Sequence, residues 1–331
     1  MNILVTGGAG YVGSACLRYM LARGHNAVAF DNLVQGHAAA VPGGKTGGRL
    51  IVGDIADTEA LVAALRKVNA DAVMHFAAAT YVGESVENPE YHYRNNIGGT
   101  LSLLNAMRKA GVKRMLFSST CATYGMTPKV PMSEDSPQEP FSPYARTKLA
   151  VEWMIRDFAH AYGLGFTLLR YFNAAGADAD AQHGEDHRPE THLIPLVLEV
   201  PLGKRDKIKV LGDDYPTPDG TCIRDYVHTE DLAQAHLLAM EATTPTTAEV
   251  YNIGTGTGSS VLEVIRACEE VTGTTIPREV VGRRPGDPPA LVADPTKLKT
   301  RLGWKPRYPD IRSVVASAWA WHKSHPNGYP D

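Results

Sequence analysis

Cysteine is sparse in this chain: Cys16, Cys121, Cys222 and Cys268 are scattered over 331 residues. With no C-x-x-C pair and no dense framework, a disulfide scaffold is excluded, and the thiols read as reduced, small buried groups in a cytoplasmic setting. Charge of one sign is lacking as well. The 33 basic and 36 acidic residues leave a net charge of −3 with no lysine and arginine run, so the electrostatic footprint of a nucleic-acid or anionic-membrane binder is absent. No apolar run approaches the roughly 18 residues of a membrane helix. Met1-Asn2-Ile3-Leu4-Val5-Thr6 runs directly into a strand pattern, without the basic and apolar regions of a secretory leader.

What is present is enough apolar material, 44% of residues, for one large domain and a smaller lobe. Short apolar runs at Ile3–Val5, Ala27–Phe30, Leu50–Val52, Ala72–His75, Met115–Phe117 and Phe166–Leu169 read as buried parallel strands, with amphipathic helices between them. This βαβα order predicts a Rossmann-type, doubly wound α/β sheet whose ligands lie beyond the carboxyl ends of its strands. Residues 1–175 are expected to form the dinucleotide-binding domain. Beyond Asn173 the alternation breaks into loops rich in Gly, Pro, Asp and His, so residues 176–331 are expected to form the substrate-binding lobe. Tyr226 to Met240, read as a helix, and Val250 to Gly254, read as a strand, are expected to return to the first sheet.

Gly7, Gly10 and Gly13 are spaced G-x-x-G-x-x-G between the first strand and a helix predicted over Tyr11–Leu21. Without Cβ atoms the backbone can approach a pyrophosphate at the helix N-terminus. Asp31 follows the second strand at the distance where a carboxylate accepts hydrogen bonds from an adenosine ribose, and it would repel a 2′-phosphate, which selects NAD over NADP. Asp54, after the third strand, could reach the adenine amino group or cap the next helix, and Phe76-Ala77-Ala78 could line the pyrophosphate.

Tyr144 and Lys148 are four apart, on one face of a helix that Ser142 caps and Pro143 opens. A free phenol has a pKa of about 10; a lysine cation, a nicotinamide ring and the helix N-terminus all favour phenolate. The hydroxyls of Ser118-Ser119-Thr120, ending a strand, could bond a reacting oxygen and relay its proton to Tyr144. Together the two motifs are equipment for taking a hydride and a proton from a secondary alcohol.

These residues closely resemble the extended short-chain dehydrogenase/reductase superfamily and, within it, the UDP-galactose 4-epimerases. The carriers are Val5-Thr6-Gly7-Gly8-Ala9-Gly10-Tyr11-Val12-Gly13-Ser14, Phe30-Asp31-Asn32-Leu33, Val82-Gly83-Glu84-Ser85-Val86, Arg170-Tyr171-Phe172-Asn173 and the long string from Asp214 to Tyr226. The resemblance implies that Tyr11, Val12, Asp31, Asn32, Asp54, Ile55, Phe76, Asn95, Ser118, Tyr144, Lys148 and Tyr171 contact NAD, and that Thr120 stands at the catalytic serine or threonine position. For a UDP-sugar it implies Asn173, His192, Leu193, Arg224, Arg284 and Asp287, the arginines suiting a diphosphate. Two departures stand out: Thr80 occupies a position where some members carry a lysine near the cofactor, and His192 replaces an asparagine of some relatives.

The resemblance implies transfer of the sugar C4 hydride to NAD, a 4-keto sugar, and return of the hydride on the opposite face. A 4,6-dehydratase would need acids after Thr120, where Cys121 and Ala122 stand. A dehydrogenase with net turnover and a non-catalytic nucleotide sensor are the rival readings. Leu291 falls where members selective for unsubstituted hexoses often carry a tyrosine, which implies some activity on UDP-N-acetylhexosamines; UDP-xylose and UDP-arabinose remain open. His183, Glu185, Asp186, His187, Glu190 and His192 are rich in metal-ligating groups, but their loop lacks helical H-x-x-x-H spacing, so no metal is expected. Helices predicted around Pro89–Ala110 and Tyr144–Tyr162 carry Leu101, Leu104, Met107, Trp153 and Phe158, which either pair a homodimer, as in relatives, or pack within one chain.

Overall fold

Alternate residues of a strand face opposite sides of its sheet. In the first strand, β1 (Asn2–Thr6), Ile3 and Val5 enter one apolar cluster while Leu4 enters another, so both faces are buried and the run is continuously apolar. The computed structural model describes residues 1–44, 48–126, 129–284 and 286–330. The further strands of the main sheet and its neighbours are β2 (Asn26–Asp31), β3 (Leu50–Val52), β4 (Ala72–His75), β5 (Arg114–Thr120), β6 (Gly165–Tyr171), β7 (Asn173–Ala175), β8 (Ile208–Leu211), β9 (Ile223–Arg224), β10 (Tyr226–His228) and β11 (Ala248–Ile253). Seven of them form a parallel sheet in the order β11-β6-β5-β4-β1-β2-β3. The order reverses at β1, and the crevice between the β1 and β4 ends is where a doubly wound sheet holds its ligand.

Helices α1 (Tyr11–Leu21), α2 (Thr58–Val68), α3 (Val82–Glu87), α4 (Pro89–His92), α5 (Gly99–Ala110) and α6 (Pro143–Tyr162) belong to the first half of the chain. Two corrections to the expected elements matter for the site. The stretch Pro89–Ala110 is not one α-helix: Tyr93–Gly98 between α4 and α5 is π-helical, a widened turn of the kind found at functional sites. Tyr226–His228 is not helical either. It pairs in parallel with β7, and helix α8 (Thr229–Ala242) starts only where the His228 ring accepts the Glu230 N–H. The β11 strand extends the main sheet beyond β6, and α8 packs on α1.

The remaining elements are α7 (Leu193–Leu198), β12 (Ser259–Ser260), α9 (Val261–Thr272), β13 (Arg278–Val281), β14 (Ala290–Leu291), α10 (Thr296–Leu302) and α11 (Ile311–Ser324). Helices α7, α9 and α11 close around a separate apolar cluster that includes Ile194, Val264 and Val315. The short β9 lies between β12 and β14 and carries Arg224. Among the described residues no helix is long and apolar enough to cross a membrane.

Candidate active site

The Ser142 hydroxyl accepts the Ala145 N–H at 3.2 Å and Pro143 occupies the first helical position, so α6 begins where the residues dictate and Tyr144 sits in its first turn. Lys148 lies one turn on, 2% exposed, and its ammonium donates to the Ser118 carbonyl at 2.9 Å above the Phe117 ring. The β5–β6 register sets Ser118 opposite Leu169 and Thr120 opposite Tyr171. Ser118 Oγ and the Tyr171 phenol share a 2.6 Å hydrogen bond. Burial pushes the Tyr144 phenol up to about 12, and the Thr120 hydroxyl pulls in the other direction. Burial pushes Lys148 down to about 7, opposed by the Glu152 carboxylate. Helix spacing does put the phenol and the ammonium on one face, but the polar group acting on Tyr144 is Thr120, and the ammonium is engaged by a strand carbonyl.

Two supports of this site escaped the sequence reading. Behind Lys148, Glu152 accepts from Arg170 Nε at 2.9 Å and Nη2 at 2.6 Å and from Ser119 Oγ at 2.6 Å, with the two ionised side chains 1% and 3% exposed. Arg170 also donates to the Tyr124 hydroxyl. Its sequence signal was a lone arginine ending the apolar run of β6. The second support begins in the π-helical turn: Asn96 donates to the Ala79 carbonyl at 3.0 Å and the Thr147 hydroxyl at 2.9 Å, and accepts from Ala79 N–H and from the side chain of Asn95. His75, bonded to the Thr6 and Thr100 hydroxyls, is held neutral because burial pushes it down to about 3.

The glycine turn has the shape a dinucleotide needs. A Cβ on Gly7, whose φ is +72°, would strike the Ala77 backbone, and one on Gly13 would strike the Gly7 carbonyl, so β1, the turn and α1 pack too closely for side chains. Gly10 differs: only the Gly7 oxygen, 3.4 Å away, lies near its would-be Cβ, so a side chain here would fill the cradle itself. No side chain caps α1, which leaves its first-turn N–H groups, at Tyr11 to Gly13, to an external anion. Asp31, 8% exposed, accepts from Ala9 N–H and Leu33 N–H at 2.9 Å each, one bond per oxygen, so each oxygen keeps a lone pair for a ribose hydroxyl. Asn32 donates to Asp54 Oδ2 at 2.9 Å, and Asp57, not Asp54, caps α2. Ile55 is buried under Gly99, and the Phe76 ring stands 5.0 Å from His236. Val12 packs into the core beneath α1, and the Tyr11 hydroxyl donates to the Gly176 carbonyl.

On the lobe side, Arg224 is 9% exposed and donates to Asp287 Oδ1 at 2.6 Å and to the Ile223 carbonyl at 2.7 Å. Leu291 lies opposite it in the β9–β14 register and packs on the cluster of Cys121, Tyr124 and Phe172, next to Thr120. Asn173 opens β7 with its N–H on the Asp225 carbonyl. Leu193 opens α7, and Arg284 is exposed, its carbonyl accepting from Asp287 N–H. The structure thus gathers Arg224, Asp287 and Leu291. His192 Nδ1 lies 2.5 Å from Glu185 Oε1, and its side chain is half exposed.

Comparison with known proteins agrees with this geometry. The profile of the NAD dependent epimerase/dehydratase family matches residues 3–254. The UDP-glucose 4-epimerase of Halalkalibacterium halodurans is 48% identical over 330 residues, spanning 99% of this chain and 98% of that one. The crystal structure of UDP-glucose 4-epimerase from Brucella ovis in complex with NAD superposes with a TM-score of 0.92 at 47% identity, covering 96% of this chain and 97% of that one. The UDP-glucose 4-epimerase from Bifidobacterium longum, in complex with NAD+ and UDP, gives 0.93 at 38% identity over 99% and 100% of the two chains.

Proposed function

We infer the reaction from the family, since this chain belongs to the NAD dependent epimerase/dehydratase family: it is an NAD-dependent isomerase that interconverts UDP-galactose and UDP-glucose. What supports the reading is the Thr120–Tyr144–Lys148 group at the end of β5 and the start of α6, two strands along the sheet from the glycine turn that follows β1, with Leu291, the register partner of Arg224, packed on the Cys121 cluster. When bound, NAD supplies the hydride acceptor and donor and the positive ring charge that draws the phenol towards ionisation.

The chain's own residues handle the proton and the position. The Tyr144 oxygen takes the proton from the sugar O4 hydroxyl, directly or through Thr120, as the C4–H bond breaks and C4–O4 becomes a carbonyl. The same proton returns to O4 when hydrogen returns to C4 on the other face, so nothing is consumed. Arg224, its guanidinium plane fixed by Asp287 and the Ile223 carbonyl, holds the diphosphate while the sugar turns about its link to it. Cys121 and Ala122 offer no acid for elimination, which separates this site from a dehydratase.

Leu291, in register with Arg224, is a smaller side chain than tyrosine, which supports acceptance of UDP-N-acetylhexosamines as well. The test is product analysis. UDP-galactose supplied without added NAD yields UDP-glucose, and UDP-N-acetylgalactosamine yields its 4-epimer; stoichiometric NADH release would instead indicate a dehydrogenase, and binding without turnover a sensor. Four free thiols, three of them buried, support a reducing, cytoplasmic setting. The homodimer reading rests on Leu101 and Trp153, 42% and 59% exposed on the adjoining helices α5 and α6, whereas Leu104 and Met107 are core and Phe158 packs against it.

A further inference from the structure

The loop leading into α7 lacks helical spacing, yet it folds four metal-ligating side chains onto one point. The ligand atoms of Glu185, His187, Glu190 and His192 all lie within 4.8 Å of one another. His187 Nδ1 and His192 Nδ1 stand 3.1 and 2.5 Å from the same oxygen, Glu185 Oε1. From the other side Glu190 offers Oε2 at 3.8 Å from His187 Nδ1 and Oε1 at 3.5 Å from His192 Nδ1. Both imidazoles therefore turn the same ring atom inward, between two carboxylates whose side chains are only 4% and 11% exposed.

Two shielded carboxylates this close repel unless positive charge lies between them. Two imidazolium rings crowded on one carboxylate oxygen supply that charge at the expense of repelling each other. A divalent cation supplies it from a single centre and uses the two neutral nitrogens as ligands. Zinc bonds to imidazole nitrogen and carboxylate oxygen at about 2.0–2.2 Å, so tetrahedral donors sit about 3.4 Å apart, in the range these four span. An N2O2 set without thiolate suits zinc better than softer metals. The loop is also held from outside: the Trp321 indole donates to the Glu185 carbonyl at 3.0 Å, the Tyr329 N–H to Asp186 at 2.9 Å, and the Tyr81 hydroxyl to the Pro189 carbonyl at 3.2 Å.

We propose that Glu185, His187, Glu190 and His192 form a zinc site, distinct from the acid/base centre, that clasps this loop against the cofactor turn. The His187 ring lies 6.1 Å from that of Tyr11 in the first turn of α1, so the clasp fixes the segment joining the dinucleotide site to α7. His192 becomes a metal ligand, which accounts for a histidine where some relatives carry an asparagine.

The test uses the full-length chain, stripped with a chelator, reloaded with zinc chloride, desalted and analysed by elemental mass spectrometry and thermal melting. About one zinc per chain is retained and Tm rises. His187→Ala and Glu185→Gln each weaken zinc binding by at least about tenfold. His187→Ala, on a partly exposed ring, guards against misfolding of the buried Glu185 variant, and cobalt gives it a second readout: the visible bands of a tetrahedral ion are present in the parent and lost in the variant. No zinc retained by the parent chain, or equal retention by His187→Ala, overturns the site.

Discussion

Lys148 is a buried amine held by the strand carbonyl of Ser118, its pKa lowered by burial from 10.5 to about 7 against the opposing pull of the Glu152 carboxylate. The unfolded chain keeps the proton that the folded chain gives up, so the contribution of this side chain to stability grows as pH rises from about 7 towards 10.5 and is absent below. Lys148→Met removes that contribution, and denaturant unfolding at pH 7 and pH 9 should show a flatter pH dependence in the variant; identical slopes would place the lysine's proton elsewhere. Much of this centre was legible in the sequence, because Tyr144 and Lys148 share a helix whose cap and first proline are local signals. The orientation of the ammonium was not, since it depends on a carbonyl 30 residues away.

Strand ends and helix starts do the positioning. In β6 the arginine after Phe166-Thr167-Leu168-Leu169 is carried inward by the register that pairs Ser119 with Arg170, and α6 supplies Glu152 to meet it. Removing one member of such a pair leaves an uncompensated buried charge, so Arg170→Met should lower stability by about 3–5 kcal/mol in denaturant unfolding. A loss under about 1 kcal/mol would mean that the pair is solvated. The doubly wound parallel sheet followed from apolar runs and the glycine turn, whose spacing is local chemistry, whereas the order of its strands came only with the structure. The π-helical turn at Tyr93–Gly98 left no such trace: its reason is the tertiary demand that Asn96 bridge Ala79 and Thr147. Periodicity likewise missed the three residues of β10, too short to show a pattern.

Across the whole molecule, a parallel sheet ends in the carboxyl edge where a doubly wound fold meets its ligand, and a third apolar cluster, around α7, α9 and α11, adjoins the small β12-β9-β14 sheet that carries Arg224 and Leu291. Trp153, exposed on α6 together with Tyr162 at the helix end, lies on the outside of this arrangement, and Trp153→Glu should shift a dimer to monomer in sedimentation. A parent chain that sediments as a monomer would contradict the proposed pairing. The loop of Glu185 to His192 shows where sequence spacing fails as a guide: its convergence is made by contacts with Trp321 and Tyr329, far along the chain.

In the proposed reaction one phenol moves the sugar's proton while hydrogen leaves and re-enters C4. The most direct measurement is the rate of UDP-galactose inversion by Tyr144→Phe, with NAD content measured in the same preparation. Tyr144→Phe should lower kcat about 10²–10⁴-fold with NAD retained, whereas an unchanged rate in the NAD-loaded variant would contradict this role of the phenol.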